Sequence, residues 1–148
     1  MRQVRIAIAY HSAHGHTARI AAVIARQLKE HGALVSLVEA SARIGEELHA
    51  ANLIVFGTPT HFGNVAAPFK AFMDGTGAFW YRQLWKGKLA AGFTVSSTTN
   101  GDKLHTLVSL ALFAAQHGMV WVPLGVLPRL STSSRLTGRT AWPATSGS

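Results

Sequence analysis

Short apolar runs alternate along the chain with stretches whose apolar residues recur at helical spacing. Residues 4–10 (Val4-Arg5-Ile6-Ala7-Ile8-Ala9-Tyr10) form a compact, partly β-branched run that predicts a strand. From Thr17 the apolar positions Ile20, Val23, Ile24 and Leu28 follow a helical period, and Gly32 stands where a helix C-terminus favours glycine. Residues 34–38 predict a second strand, 44–50 a short helix and 53–56 a third strand. Pro68 then suits the first turn of a helix that begins over 68–73. After Lys86-Gly87-Lys88, residues 89–96 predict a fourth strand. Leu104, Leu107, Val108, Ala111 and Leu112 place a helix over 103–116, and 119–122 a fifth strand.

Strands alternating with helices imply an α/β domain with a parallel sheet covered on both faces. Five strands suit an open, doubly wound sheet, whose ligand site lies outside the carboxyl ends of the strands where the strand order reverses. This domain is expected over 1–128. Residues 129–148 have neither period, are rich in Ser, Thr, Gly, Pro and Arg, and show no final helix to cover the fifth strand. They are expected to form an irregular tail.

Composition narrows the function classes. The chain has 148 residues, 48% of them apolar, which is enough for one real core. Cysteine is absent, so disulfides, thiolate ligands and cysteine nucleophiles are excluded together. No signal peptide precedes the first run, and a cytoplasmic location is expected. Residues 104–126 lack Asp, Glu, Lys and Arg, but His105, Gln116, His117, Gly118 and Pro123 interrupt them as a helix, a turn and a strand would. No membrane span is expected. The formal net charge of +8 is spread along the chain. It favours phosphate-bearing ligands, and without a nucleic-acid motif no specific binding of DNA or RNA is expected.

Three polar loops follow predicted strands. The first, His11-Ser12-Ala13-His14-Gly15-His16-Thr17, opens a helix, where free amides and the helix dipole favour an anion and the hydroxyls of Ser12 and Thr17 add donors. An ordinary capped turn is the plainer alternative. It is neither a Walker loop nor a dinucleotide fingerprint. His11, His14 and His16 lack a nearby carboxylate or cysteine to complete a ligand set, so no metal is expected.

The second loop is Gly57-Thr58-Pro59-Thr60-His61-Phe62-Gly63-Asn64. Pro59 and Gly63 set its turn, Thr60, His61 and Asn64 supply polar groups, and Phe62 either covers a ring or packs in the core. The third, Ser96-Ser97-Thr98-Thr99-Asn100-Gly101, is either a source of donors or a solvated loop. His117 is either a helix C-terminal cap or a titratable group at the cleft mouth. Trp80 and Tyr81 wall a pocket, meet another subunit or sit at the core edge.

The ordered set Gly57-Thr58-Pro59-Thr60-His61-Phe62-Gly63-Asn64, Phe72-Met73-Asp74-Gly75-Thr76-Gly77, Gly87-Lys88-Leu89 and His117-Gly118-Met119-Val120-Trp121-Val122-Pro123-Leu124-Gly125 resembles the flavodoxin-like superfamily. Within it, the set is similar to the tryptophan-repressor-binding-protein (WrbA) family of NAD(P)H:quinone oxidoreductases, over residues 3 to about 127. The resemblance implies a flavodoxin-like sheet of order 2-1-3-4-5 that binds FMN. It implies that Ser12, His14, Gly15, His16 and Thr17 hold the phosphate. Pro59, Thr60, His61, Phe62, Gly63 and Asn64 would run along the isoalloxazine, with Ser96, Ser97, Thr98, Thr99, Asn100 and Gly101 as the third flavin loop.

It further implies that His117 lies near the flavin with a proton-delivery or quinone-orienting role, and that Trp80, with Phe62, lines the quinone site. NAD(P)H would reduce the flavin and leave before a quinone takes two electrons, in a homodimer or homotetramer. His61 stands where an arginine is common in these reductases, which replaces a fixed charge by a titratable one. The resemblance stops at the tail, as a frameshifted or truncated C-terminus would make it. Two rival readings are a flavodoxin-like electron carrier and a noncatalytic scaffold or regulatory protein that has lost its flavin.

Overall fold

A computed structural model describes residues 3–40, 44–99 and 101–125. Its elements in chain order are β1 (Arg5–Tyr10), α1 (His16–Glu30), β2 (Leu34–Glu39), α2 (Glu46–Ala50), β3 (Leu53–His61), β4 (Asn64–Val65), α3 (Ala67–Gly75), α4 (Gly77–Tyr81), β5 (Leu89–Val95), α5 (Lys103–Gln116) and β6 (Val120–Trp121). The main sheet has the order β2-β1-β3-β5-β6 with parallel pairings throughout. This is the expected 2-1-3-4-5 order. The two-residue β4 pairs antiparallel with the end of β3 and adds a short hairpin off that path.

Strand periodicity sorts the core onto two faces. Ala7, Ala9, Ile54, Phe56 and Ala90 point to one face and pack with Leu48 of α2, Phe69 and Phe72 of α3, and Leu110, Phe113 and Ala114 of α5. Ile6, Ile8 and Val55 point to the other, against Ala21 and Ala25 of α1. Central β1 is therefore buried on both sides from Ile6 to Ala9, which is why it reads as a continuous apolar run rather than an alternating one. Among the described residues α1 alone covers its face, and Ala91 and Phe93 on β5 are only partly buried there. The expected irregular tail, 129–148, lies outside the described residues.

An aromatic knot closes the more populated face. Phe56 meets Phe69, Trp85 and Phe113 at centroid distances of 6.5, 6.4 and 5.3 Å. Phe56, Phe69 and Trp85 are each fully buried. The Lys88 ammonium donates to the carbonyls of His49 and Ala51 at 2.7 and 2.5 Å, which satisfies the C-terminus of α2 and ties it to the start of β5. Burial lowers the Lys88 pKa from its ordinary value.

Several local expectations change. The segment 57–64 is not a free loop: β3 continues to His61, because its backbone pairs with β5 as far as Pro59↔Val95 and then with β4. Trp80 and Tyr81 follow the third helix, α3, in the separate short turn α4, and both are exposed rather than packed at the core edge. The uncharged stretch after Leu104 divides into α5 and β6, and no helix among the described residues is long and apolar enough to cross a membrane.

Phe56→Ala is expected to cost about 3–5 kcal/mol, because the aromatic neighbours cannot collapse into the space left. Urea denaturation of the two proteins measures the difference, and a loss below about 1 kcal/mol would contradict the packing described.

Candidate functional site

A cleft of about 590 Å³ lies at the carboxyl ends of β1, β3 and β5. Ser12, His14 and Thr17 line it from the first loop, Pro59, Thr60 and His61 from β3, and Ser96 and Ser97 from the third loop. Its position follows from topology. β2 and β3 flank β1 on opposite sides, so the connections after β1 and β3 diverge and leave a crevice between them.

The β1–α1 turn is built to receive an anion. Gly15 precedes α1 at φ 85°, a left-handed conformation that a side chain would strain. No side-chain oxygen caps the helix, and its first turn holds no acidic residue. The Ser12 hydroxyl is buried and without a hydrogen-bond partner. A buried hydroxyl lacking a partner is costly unless something else supplies one. His14 and His16 stand exposed at the same end of the cleft, with Arg19 one turn further along α1.

The second wall is held by hydroxyls. Thr60 Oγ1 lies 2.7 Å from Thr94 Oγ1 and 2.9 Å from Thr106 Oγ1, joining β3, β5 and α5. Thr94 also donates to the Thr58 carbonyl at 2.7 Å. The chain then reverses through Phe62 and Gly63, at φ 48° and 73°, in a two-residue hairpin of the kind that needs left-handed backbone at both positions. That is routine for Gly63 and costly for Phe62. Asn64 Oδ1 accepts from the Val65 amide at 2.8 Å, and His105 Nδ1 lies 2.6 Å from the Gly63 carbonyl, so α5 holds the hairpin tip.

The third loop closes around a cation. Lys103 Nζ donates to Ser96 Oγ at 2.8 Å and to the carbonyls of Thr98 and Thr99 at 2.9 and 2.7 Å. Ser96 Oγ in turn donates to the Thr98 carbonyl at 2.7 Å. Gly101 and Asp102 follow at φ 54° and 53° and turn the chain into α5. A Cβ on Gly101 would stand 2.8 Å from both Ser96 Oγ and Thr98 Oγ1, so glycine is required for the close approach as well as for the dihedral.

The three expected loops thus meet at one edge of the sheet, with differences in detail. Phe62 neither packs in the core nor lies over the cleft: its side chain is fully exposed at the hairpin tip. Asn100 lies outside the described residues. Trp80 is not among the residues lining the cleft.

The placement of His117 at the cleft mouth is corrected. His117 caps the C-terminus of α5 near the amino ends of the strands, with its side chain 1% exposed. Its Nε2 lies 2.9 Å from Thr76 Oγ1, and its ring packs against Trp85 and Phe113 at 4.6 and 4.8 Å. α5 runs antiparallel to the strands, so a residue at its C-terminus is carried away from their carboxyl ends. Reading the loops missed Lys103, Thr94 and Thr106, which lie inside a helix and a strand. Lys103 did carry a signal: a cation at the first position of a helix opposes the dipole there.

The comparisons agree with this architecture. A family model described as NADPH-dependent FMN reductase matches residues 38–128. The chain is similar to the Pseudomonas aeruginosa protein named Flavodoxin FldP, 41% identical over 135 residues, which cover 86% of this chain and 71% of that protein. It is similar to the Candida albicans protein named NAD(P)H quinone oxidoreductase PST2, 40% identical over 61% of this chain and 45% of that protein. Among solved structures, the flavodoxin, WrbA-like protein from Agrobacterium tumefaciens superposes with a TM-score of 0.74 at 39% identity, covering 83% of this chain and 79% of that one.

His117 predicts how stability varies with pH. Burial lowers its pKa from the ordinary 6.5. Once unfolded it takes up a proton as the pH falls through 6.5, while the folded ring resists protonation, so protons favour the unfolded chain. Its contribution is complete above pH 6.5 and declines below. Thermal melts between pH 8 and 5 are expected to show a falling midpoint, and His117→Gln a flatter profile than the parent; parallel profiles would exclude His117 as the cause.

Proposed function

The chain belongs to the NADPH-dependent FMN reductase family, and on that footing we propose that it is an FMN-dependent NAD(P)H:quinone oxidoreductase. The observation that carries this reading is the unpartnered Ser12 hydroxyl, buried in the cleft wall beside the uncapped start of α1. A phosphate monoester supplies the acceptor that this hydroxyl and the free amides lack. The cleft volume is also within the range of cofactor sites. The residues present therefore fit FMN.

In this reading Ser12, Thr17 and the amides after Gly15 hold the phosphate, with His14 and His16 adding donors at its open end. Thr60 and His61 flank the ring along β3, and the backbone of the third loop, including Ser96 and Ser97, meets its polar edge. Bound FMN supplies the chemistry of accepting a hydride from NAD(P)H and returning two electrons to a quinone. The chain's part is to bind and orient it.

Phe62, exposed at the hairpin tip, is this chain's own aromatic available to a planar acceptor. Trp80 reaches an acceptor only in the cleft of another copy, which is how a dimer or tetramer enters the reading. His117 is assigned no proton transfer within its own chain, since its ring is closed into the core. A cytoplasmic location completes the proposal.

A second reading, an electron carrier, is favoured by the likeness to a protein named flavodoxin. The net charge of +8 supports the reductase instead, because small carriers commonly present an acidic face to their partners.

An FMN titration followed by visible absorbance is expected to show saturable one-to-one binding, and the loaded protein to oxidise NADPH with benzoquinone as acceptor. Binding without turnover, with fast electron exchange to a redox protein, would select the carrier. Folded protein that binds no FMN would sink both readings and leave the scaffold. Ser12→Ala is expected to weaken FMN binding about tenfold or more at unchanged stability, because the hydroxyl serves no protein partner.

A further inference from the structure

Lys103 occupies a position that local energetics oppose. It is the first residue of α5, where the dipole disfavours a cation, the first turn has no acidic residue, and no side chain caps the helix. Its side chain turns back from the helix, and its hydrogen bonds to Ser96 Oγ and the Thr98 and Thr99 carbonyls use all three donors of an ammonium. Each of those acceptors belongs to the third loop. Among the described residues no carboxylate pairs with it. The neighbouring Asp102 instead lies beside Gly63: a Cβ on Gly63 would be 3.9 Å from Asp102 Oδ2.

Residues 96–99 are thus wrapped around an amine much as a loop wraps a bound cation. Drawing their carbonyls and the Ser96 hydroxyl inward leaves the opposite side of the loop to the cleft, which Ser96 and Ser97 line. A rule broken within the helix and offset only by the loop that borders the cleft points to a functional position.

We propose that Lys103 is a positioning residue for the flavin: its ammonium holds the third loop in binding shape and leaves an unneutralised positive charge behind the cleft wall. The proposal rests on the FMN reading above. A fixed cation stabilises the electron-rich reduced cofactor more than the oxidised one, so it raises the two-electron midpoint potential as well as tightening binding.

The test measures FMN affinity by fluorescence quenching and midpoint potential by dye equilibration in the parent, Lys103→Met and Lys103→Arg. Lys103→Met is expected to bind oxidised FMN about threefold to tenfold more weakly and reduced FMN more weakly still. Each tenfold of additional loss on the reduced form lowers the potential by about 30 mV. Lys103→Arg keeps the charge but not the compact three-point geometry. It is expected to retain the potential while losing part of the affinity, and it tests the charge even if Lys103→Met fails to fold.

Lys103→Met with parental affinity and potential would overturn the proposal. Weaker binding at unchanged potential would overturn its electrostatic half and leave a loop staple. A parent protein that binds no FMN would remove the FMN reading itself, which is a different result from a parent that binds and a variant that does not change.

Discussion

The reversal of strand order at β1 is the constraint on which the rest of the molecule depends. β1 is paired on one side with β2 and on the other with β3, in register from Arg5↔Leu34 and from Ile6↔Leu53. A parallel sheet must be covered on both faces, and here α1 takes one face while α2, α3 and α5 take the other. The chain leaving β1 and the chain leaving β3 therefore part company at the sheet edge. The space between them is the cleft, and the small residues Ala21 and Ala25 of α1, both buried against Ile6, Ile8 and Val55, let helix and sheet approach closely beneath it.

The three walls solve the same problem of polar satisfaction by different means. The β1–α1 turn leaves its groups open, with the Ser12 hydroxyl and the helix amides unanswered by protein. The β3 wall satisfies its own hydroxyls through Thr60, Thr94 and Thr106, which fixes the cleft side rigidly to β5 and α5. The third loop is satisfied by a cation from the following helix. One open wall beside two internally satisfied ones is the arrangement of a preformed site, in which ligand contributes the missing acceptor and little protein must reorganise.

Much of this was legible in the residue pattern. The apolar runs placed all five strands of the main sheet, and the 104/107/108/111/112 spacing placed α5 over Lys103–Gln116. The three polar loops were legible as a set because each directly follows a strand, and the structure brings all three to one cleft. The hairpin was not: Asn64-Val65 is too short for a period, and Phe62-Gly63 lacks the Asn-Gly or Asp-Gly pair that usually announces such a turn. α4, a single helical turn, was missed for the same reason.

His117 marks the division most sharply. Its place beside Gly118 correctly identified a helix end, but an imidazole at a helix end faces either solvent, a cleft or the core, and spacing cannot choose among them. Trp85 and Thr76, both far from His117 in the chain, made that choice by closing around it together with Phe113 one helical turn earlier. By itself the sequence determined what local periodicity encodes: the elements, their order and the loops that could bind. Only the tertiary structure decided which side chains share a space, that Phe62 stands in solvent, and that Lys103 serves a loop rather than its own helix. Those outcomes depend on contacts between residues whose separation along the chain carries no periodic signal.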